Sequence, residues 1–429
     1  VLQLSVPVTL SDSITFLLRS WRPPRPTQRR SSAAEDVYKR QVPLRFLRTA
    51  PWWLLIASVL FAGHATEVLA SRYHPATLAI VHLMMLGFAG NIMLGALLQI
   101  SAVLAGARAQ RPVLAGWLVW GALQAGTALL AAGLWLMQPL LLQAAGAVLG
   151  VMLLVFTVWL FTRLWRSPAV DASTAGLRWS VAGLGLTVAC GILLLLVLTR
   201  GVALPLPDVL RLHVLFGSMG WVFPLLASVA LTVVPMFLVT PPWPQRLARL
   251  LVPLNALMLL LLAVWPVLLP LLVLPVLLFV LQLLCSLKAS KRGADPARWL
   301  WAWGGVNLLL VCALAPWLDA LPRLNPVLLG GQFLCGALLP IYTAMLGKIV
   351  PFLLWLDYRA SVPVGRKLRH MGQLFPERWL RGLGGLALAV GLTWPLALAS
   401  IWPVLVLLLA YGLALLVVVP RAFRNAPVS

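Results

Sequence analysis

The chain has 429 residues, of which 62% are hydrophobic and only 10% charged, where a soluble domain carries about a quarter charged residues. Apolar runs of about 20 residues, the length that crosses a hydrocarbon core, recur along nearly all of it and are continuous rather than alternating, which excludes a β-barrel. The net charge of +23 does not signal nucleic acid, because the basic residues lie in short clusters between apolar runs, where positive charge orients helices in a bilayer.

Residues 1–41 differ from the rest. The segment "SWRPPRPTQRRSSAAEDVYKRQ" is basic and rich in Pro and Ser, a composition expected to be disordered. Its end, "DVYKRQ", matches the in-frame translation of a transposon end used to fragment DNA for sequencing, so 1–41 is read as a non-native segment and 42–429 as one transmembrane domain.

From there, apolar runs bounded by proline and charge predict an all-α polytopic protein of about twelve spans: 50–68, 77–104, 112–136, 139–164, 177–199, 208–238, 247–264, 267–288, 299–317, 327–356, 379–398 and 401–420. Within 247–288 the sequence "WPVLLP" fits either a turn between two spans or a kink in one. Basic residues crowd the side shared by the N-terminus, from Arg45, Arg48 and Arg108 through Lys288, Lys291 and Arg292 to Arg366, Lys367, Arg369, Arg421 and Arg424. Only Arg72, Arg200, Arg211 and Arg323 stand opposite. Both termini are therefore expected in the cytoplasm of a bacterial inner membrane. The 20 tryptophans mostly flank span ends, as an interfacial belt should. Cys190, Cys285, Cys312 and Cys335 fall inside apolar runs and are expected as buried free thiols.

Spans two, six and ten are longer than the others and share a pattern. They read "VHLMMLGFAGNIMLGALLQISAVLAG", "LHVLFGSMGWVFPLLASVALTVVPMFL" and "GQFLCGALLPIYTAMLGKIVPFLLW". Each opens with a polar residue, His82, His213 or Gln332, followed about a turn later by Gly87, Gly217 or Gly336. The spacing is close to four helices each time, which predicts three pseudo-repeats of four. All three polar residues are expected about 7–8 Å inside the outer boundary, given a rise of 1.5 Å per residue. Polar side chains at one depth facing a common interior form a candidate site, because burying them without partners is costly.

A topology of twelve helices in three repeats, with histidines in the outer third of helices two and six, resembles subunit I of the heme-copper oxidases. It resembles still more the subunit-I-like membrane proteins that include the NnrS family linked to nitric-oxide response. The resemblance implies that His82 is an axial heme ligand and that His213 stands where those oxidases bind copper. Helix ten of the oxidases supplies two heme-ligating histidines, whereas here Gln332, Cys335, Tyr342 and Met345 stand there, and the second copper-binding pair is also missing. An oxygen-reducing binuclear centre is therefore not expected. A heme, or less favourably a copper ion, held by His82 with His213 or Met345 is one reading, with a role in respiratory or nitric-oxide-related redox physiology and a redox partner or further respiratory subunits. The other reading has His82, Gln99, His213 and Gln332 hydrogen-bonding across helices as packing glue.

The loop "GHATEVLASRYHP" holds His64, Glu67 and His74, which could form an exposed metal site or a solvated turn. Lys348 either snorkels to the surface or faces inward near a proton or anion path. A secondary transporter is a further alternative, although mid-span carboxylates for ion coupling are wanting; a cofactor-free scaffold or assembly factor is another. No Walker, Rossmann or hydrolase motif occurs in a suitable context.

Overall fold

The computed structural model describes residues 26–425 except 108, 110, 319, 322 and 362–369, with side chains from residue 42 onward except at 112, 263, 360 and 361. Residues 1–25 and the basic residues Arg108, Arg366, Lys367 and Arg369 lie outside the described residues. The described chain is 86% helical and has no strands. The first helix, α1, runs Pro26–Ala70, so residues 26–41, expected to be disordered, have helical backbone. "SSAAEDVYKRQ" contains strong helix formers and no residue that would stop a helix once it is running. The apolar part of α1 is Val42–Gly63.

Among the described residues ten further helices are long and apolar enough to cross a membrane, giving eleven with α1. They are α2 Pro75–Leu104, α3 Val113–Trp135, α4 Pro139–Arg166, α5 Ala172–Arg200, α6 Leu206–Leu238, α7 Gln245–Leu262, α8 Pro266–Lys288, α9 Pro296–Trp317, α10 Pro326–Arg359 and α12 Trp402–Asn425. The remaining expected span is α11, Glu377–Thr393, prolonged by a 3-10 turn over Trp394–Leu396; it is shorter and interrupted by Pro395. Between α7 and α8 the chain breaks. Trp265 leaves the helical region (φ −122°, ψ 85°) and a proline-led 3-10 segment, Pro266–Leu272, opens α8. The ambiguity at 247–288 thus resolves as two helices joined by a turn.

This is the architecture of a multi-pass membrane protein. α2, α6 and α10 form its centre: 67%, 72% and 83% of their apolar windows are buried, against 28–44% for the other long helices. The three touch one another. Tyr342 on α10 donates to Met93 Sδ on α2 (3.1 Å) and meets Phe88 edge-on, while Phe237 on α6 packs against Phe352 on α10. The outer helices turn residues such as Val155, Leu260 and Val406 outward, as a lipid-facing surface requires. Trp117, Trp135, Trp165, Trp317 and Trp402 are exposed at helix ends, where an amphipathic ring belongs in a membrane interface. All four cysteines are free; Cys190 and Cys335 are buried as expected, but Cys285 is exposed on α8.

Helix contacts are closest where glycine permits. A side chain at Gly183 on α5 would run into the backbone of Gly220 on α6, and one at Gly176 into Ser228. Small residues allow backbones to approach in a medium where apolar side chains gain nothing by leaving lipid. Each central helix also contains a π-helical segment: Leu83–Ala89 in α2, Phe216–Val222 in α6 and Gln332–Leu338 in α10. A fourth lies in α4 at Gly146–Gly150.

Candidate functional site

The polar residues of the central helices stand in nearly equal register. His82 is seven residues after the start of α2 at Pro75, His213 seven after Leu206, and Gln332 six after Pro326. At 1.5 Å per residue this is about 9–10 Å along each helix. A π segment begins at or just after each of them.

The structure brings the two histidines together. Their ring centroids are 6.3 Å apart with planes inclined by 29°. His82 Nδ1 lies 2.7 Å from the carbonyl of Leu78, one turn back on its own helix, and His213 Nδ1 lies 3.0 Å from the carbonyl of Thr187 on α5. A carbonyl only accepts, so in both rings Nδ1 carries the proton and Nε2 keeps its lone pair. Among the described residues no hydrogen bond reaches either Nε2. Pinning of Nδ1–H by a backbone carbonyl is the arrangement that holds an imidazole for metal ligation through the other nitrogen. On the flank toward α5 a side chain at Gly191 would begin 3.2 Å from His213 Cε1, and glycine leaves that flank uncrowded.

Gln332 does not join them. Its Nε2 donates to Asn307 Oδ1 on α9 (2.6 Å) and to the carbonyl of Gly391 on α11 (3.2 Å). The carboxamide thus serves a separate contact among α9, α10 and α11. Met345 is also remote: it stands thirteen residues beyond Gln332 on α10, about 20 Å along a helix, and lines a small cavity with Lys348, Phe237 and Trp301. An axial role for Met345 opposite His82 does not fit this placement.

His64, Glu67 and His74 are not assembled into a metal site. His64 sits at a kink in α1 (φ −135°, ψ 25°) with its ring edge-on to Trp135. Glu67 is exposed. His74 caps α2, its Nδ1 accepting from the Ala76 N–H at 3.3 Å. Among the described residues no group of three or more His, Cys, Asp or Glu side chains could hold a metal ion. Gln99 is half-buried toward the far end of α2. Lys348 neither snorkels nor lies free; its Nζ pairs with Asp295 Oδ2 at 2.5 Å.

The buried amide that matters in α2 is Asn91, which sequence reasoning passed over although it stands in the middle of "GFAGNIMLG". It is fully buried. Its Nδ2 donates to the Gly87 carbonyl (2.5 Å), and its Oδ1 accepts from Gln124 Nε2 (2.9 Å). Gln124 Oε1 in turn accepts from Trp53 Nε1 at 2.5 Å. On the α6 side Asn255 donates to the Met219 carbonyl (2.6 Å) and Ser180 to the Trp221 carbonyl (3.2 Å). Asp295, also missed, is the N-cap of α9, accepting from the Ala297 N–H at 3.1 Å; the sequence signal was Asp-Pro ahead of an apolar run.

Compared with known proteins, the chain matches no family model and no curated protein sequence.

Proposed function

We propose that this chain is a bacterial inner-membrane protein of the oxidase-subunit-I-like class, with both termini in the cytoplasm, three four-helix units, and a heme held by His82 and His213. The observation that carries this reading is the histidine pair. The two ring centroids lie 6.3 Å apart, near enough for both imidazoles to bind one metal ion at bonds of about 2.0–2.1 Å. The donor set fits the group: two neutral imidazoles, each with Nδ1–H committed to a carbonyl and Nε2 free. The matching register of His82, His213 and Gln332 and the π segments behind them support a threefold repeat.

A heme held by His82 and His213 would supply one-electron exchange. The chain's own contribution is orientation: Leu78 and Thr187 fix the ring tautomers, and α2 and α6 fix the separation. Redox physiology with a partner protein follows as the proposed role. Two imidazoles alone could also hold a single copper(I) ion, since soft and imidazole ligands suit that metal.

The test is the visible spectrum of the purified protein in detergent, oxidised and reduced, with metal analysis. A Soret band lost in both His82→Ala and His213→Ala supports heme. Copper at one equivalent without a Soret band redirects the reading to that metal. A colourless, metal-free preparation refutes cofactor binding and leaves the pair as a helix-packing contact.

A further inference from the structure

At the end of the bundle away from the histidine pair, α1 and α3 close into a seam. A side chain at Gly116 would collide with Val42, and further along the Trp120 indole donates to Thr49 Oγ1 at 3.1 Å. Between these contacts the Arg45 guanidinium lies on the Trp117 ring, its carbon 3.4 Å from the ring centroid. The stack sets the plane of a fork that carries five N–H donors. Among the described residues none of the five meets an acceptor, and Nη1 is buried without one. Arg45 as a whole is only half-buried, so the rest of the fork reaches the surface.

No carboxylate answers this charge. Arg48, three residues on, is exposed and has the ring of Phe423 on α12 beside it at 5.7 Å. Arg111, just ahead of α3 and six residues before Trp117, is exposed as well. Among the described residues none of the three arginines forms an ion pair. The surface beside them is apolar: Trp117 is 44% exposed, and Leu114 and Leu118, a turn apart on α3, also point outward. The seam therefore opens onto the lipid-facing flank of the bundle.

The chemistry of the open edge selects its occupant. It offers N–H donors and positive charge only, and a guanidinium fork matches the paired oxygens of a phosphate or carboxylate. At a helix end beside a lipid-facing flank, the anion at hand is the phosphodiester of a phospholipid. Three unanswered cations favour a lipid of net negative charge over a zwitterionic one, whose ammonium they would repel. We propose that Arg45, held on Trp117 in the seam of α1 and α3, binds the headgroup phosphate of an anionic phospholipid whose chains lie along Leu114 and Leu118. Arg48 and Arg111 add attraction at longer range. This site stands independently of the histidine pair.

The experiment is native mass spectrometry of the full chain in detergent, with phosphatidylglycerol and phosphatidylcholine supplied in equal amounts. The expected result is a phosphatidylglycerol adduct retained severalfold more than phosphatidylcholine. Arg45→Gln should bring the two lipids to near parity, and Arg45→Lys, which keeps the charge but loses the fork, should remove part of the preference. Arg381→Gln deletes an equal charge from the exposed pair with Glu377 and should leave the preference unchanged. Equal retention of the two lipids by the native chain overturns the proposal. So does a preference that survives Arg45→Gln, or one that falls as far in Arg381→Gln, which would mark bulk charge alone. Should Arg45→Gln fail to fold, an undiminished preference in both Arg45→Lys and Trp117→Leu overturns it. Displacement of phosphatidylglycerol by millimolar inorganic phosphate assigns the fork to a soluble anion and overturns the lipid site.

Discussion

The ion pair of Lys348 and Asp295 allows a sharp energetic test. The pair joins α10 to the first residue before α9 at 2.5 Å, and the two side chains are 19% and 8% exposed. Replacing Lys348 by Met keeps the apolar stem and removes the charge, so Asp295 is left with its cap bond to Ala297 and no counter-ion. Removing one partner of a buried pair costs about 3–5 kcal/mol, and because the Lys348 side chain is 19% exposed the low end, about 3 kcal/mol, is expected. Asp295→Asn retains an acceptor for the cap and leaves the ammonium partly exposed; about 1–2 kcal/mol is expected. In the double variant nothing charged is stranded, so the loss should fall about 2 kcal/mol short of the sum of the singles. The assay is reversible unfolding in mixed micelles followed by tryptophan fluorescence. Additivity within about 0.5 kcal/mol would refute the coupling and return Lys348 to a snorkelling role.

The glycine contacts make a paired expectation: Gly183→Ala, which drives a methyl into the Gly220 backbone, should lose about 3 kcal/mol. Gly121→Ala, where nothing lies within 4 Å, should be neutral or slightly stabilising by thermal melting. Asn91→Leu strands both Gln124 and the Gly87 carbonyl and should cost about 2–3 kcal/mol, whereas Trp53→Phe removes a single bond to Gln124 and should cost about 1 kcal/mol. At Tyr411, the hydroxyl must be the donor toward Thr343 Oγ1 (2.7 Å), because Thr343 spends its own proton on the Leu339 carbonyl. Tyr411→Phe therefore leaves Thr343 satisfied as a donor, and a loss near 1 kcal/mol in the same melting assay is expected.

Much of the helical framework was legible in the sequence because bilayer thickness imposes one length on every span, and proline and charge punctuate the runs. The same reading picked out α2, α6 and α10 by length, and these are the helices buried at the centre. What it missed depends on which neighbour a side chain meets. Gln332 looked equivalent to His82 by depth, yet it turns to Asn307 and Gly391, a choice set by the placement of α9 and α11. Lys348 was read as snorkelling or as facing a proton or anion path, because its partner stands 53 residues earlier in sequence. Met345 was offered as a ligand on residue type alone; its distance along α10 from the level of Gln332 rules against it. Asn91 was visible, but an amide within an apolar run carries no sign of what it bonds.

The π segments explain why so many amides sit in the centre. A π turn widens the helix and loosens its ladder, and inside a bilayer no water is present to satisfy a freed carbonyl. Asn91 bonds the Gly87 carbonyl in the α2 segment, and Asn255 and Ser180 bond the Met219 and Trp221 carbonyls in the α6 segment. Gln332 folds back over Gly336 within the α10 segment while bridging to two neighbouring helices. Those amides and that hydroxyl are accounted for by helix repair and packing. The histidines are not: His82 bonds the Leu78 carbonyl before its π segment begins, His213 bonds a carbonyl on a different helix, and among the described residues neither Nε2 is bonded. Helix repair therefore accounts for Asn91, Asn255 and Ser180 but not for the two imidazoles, and the proposed cofactor site rests on that remainder.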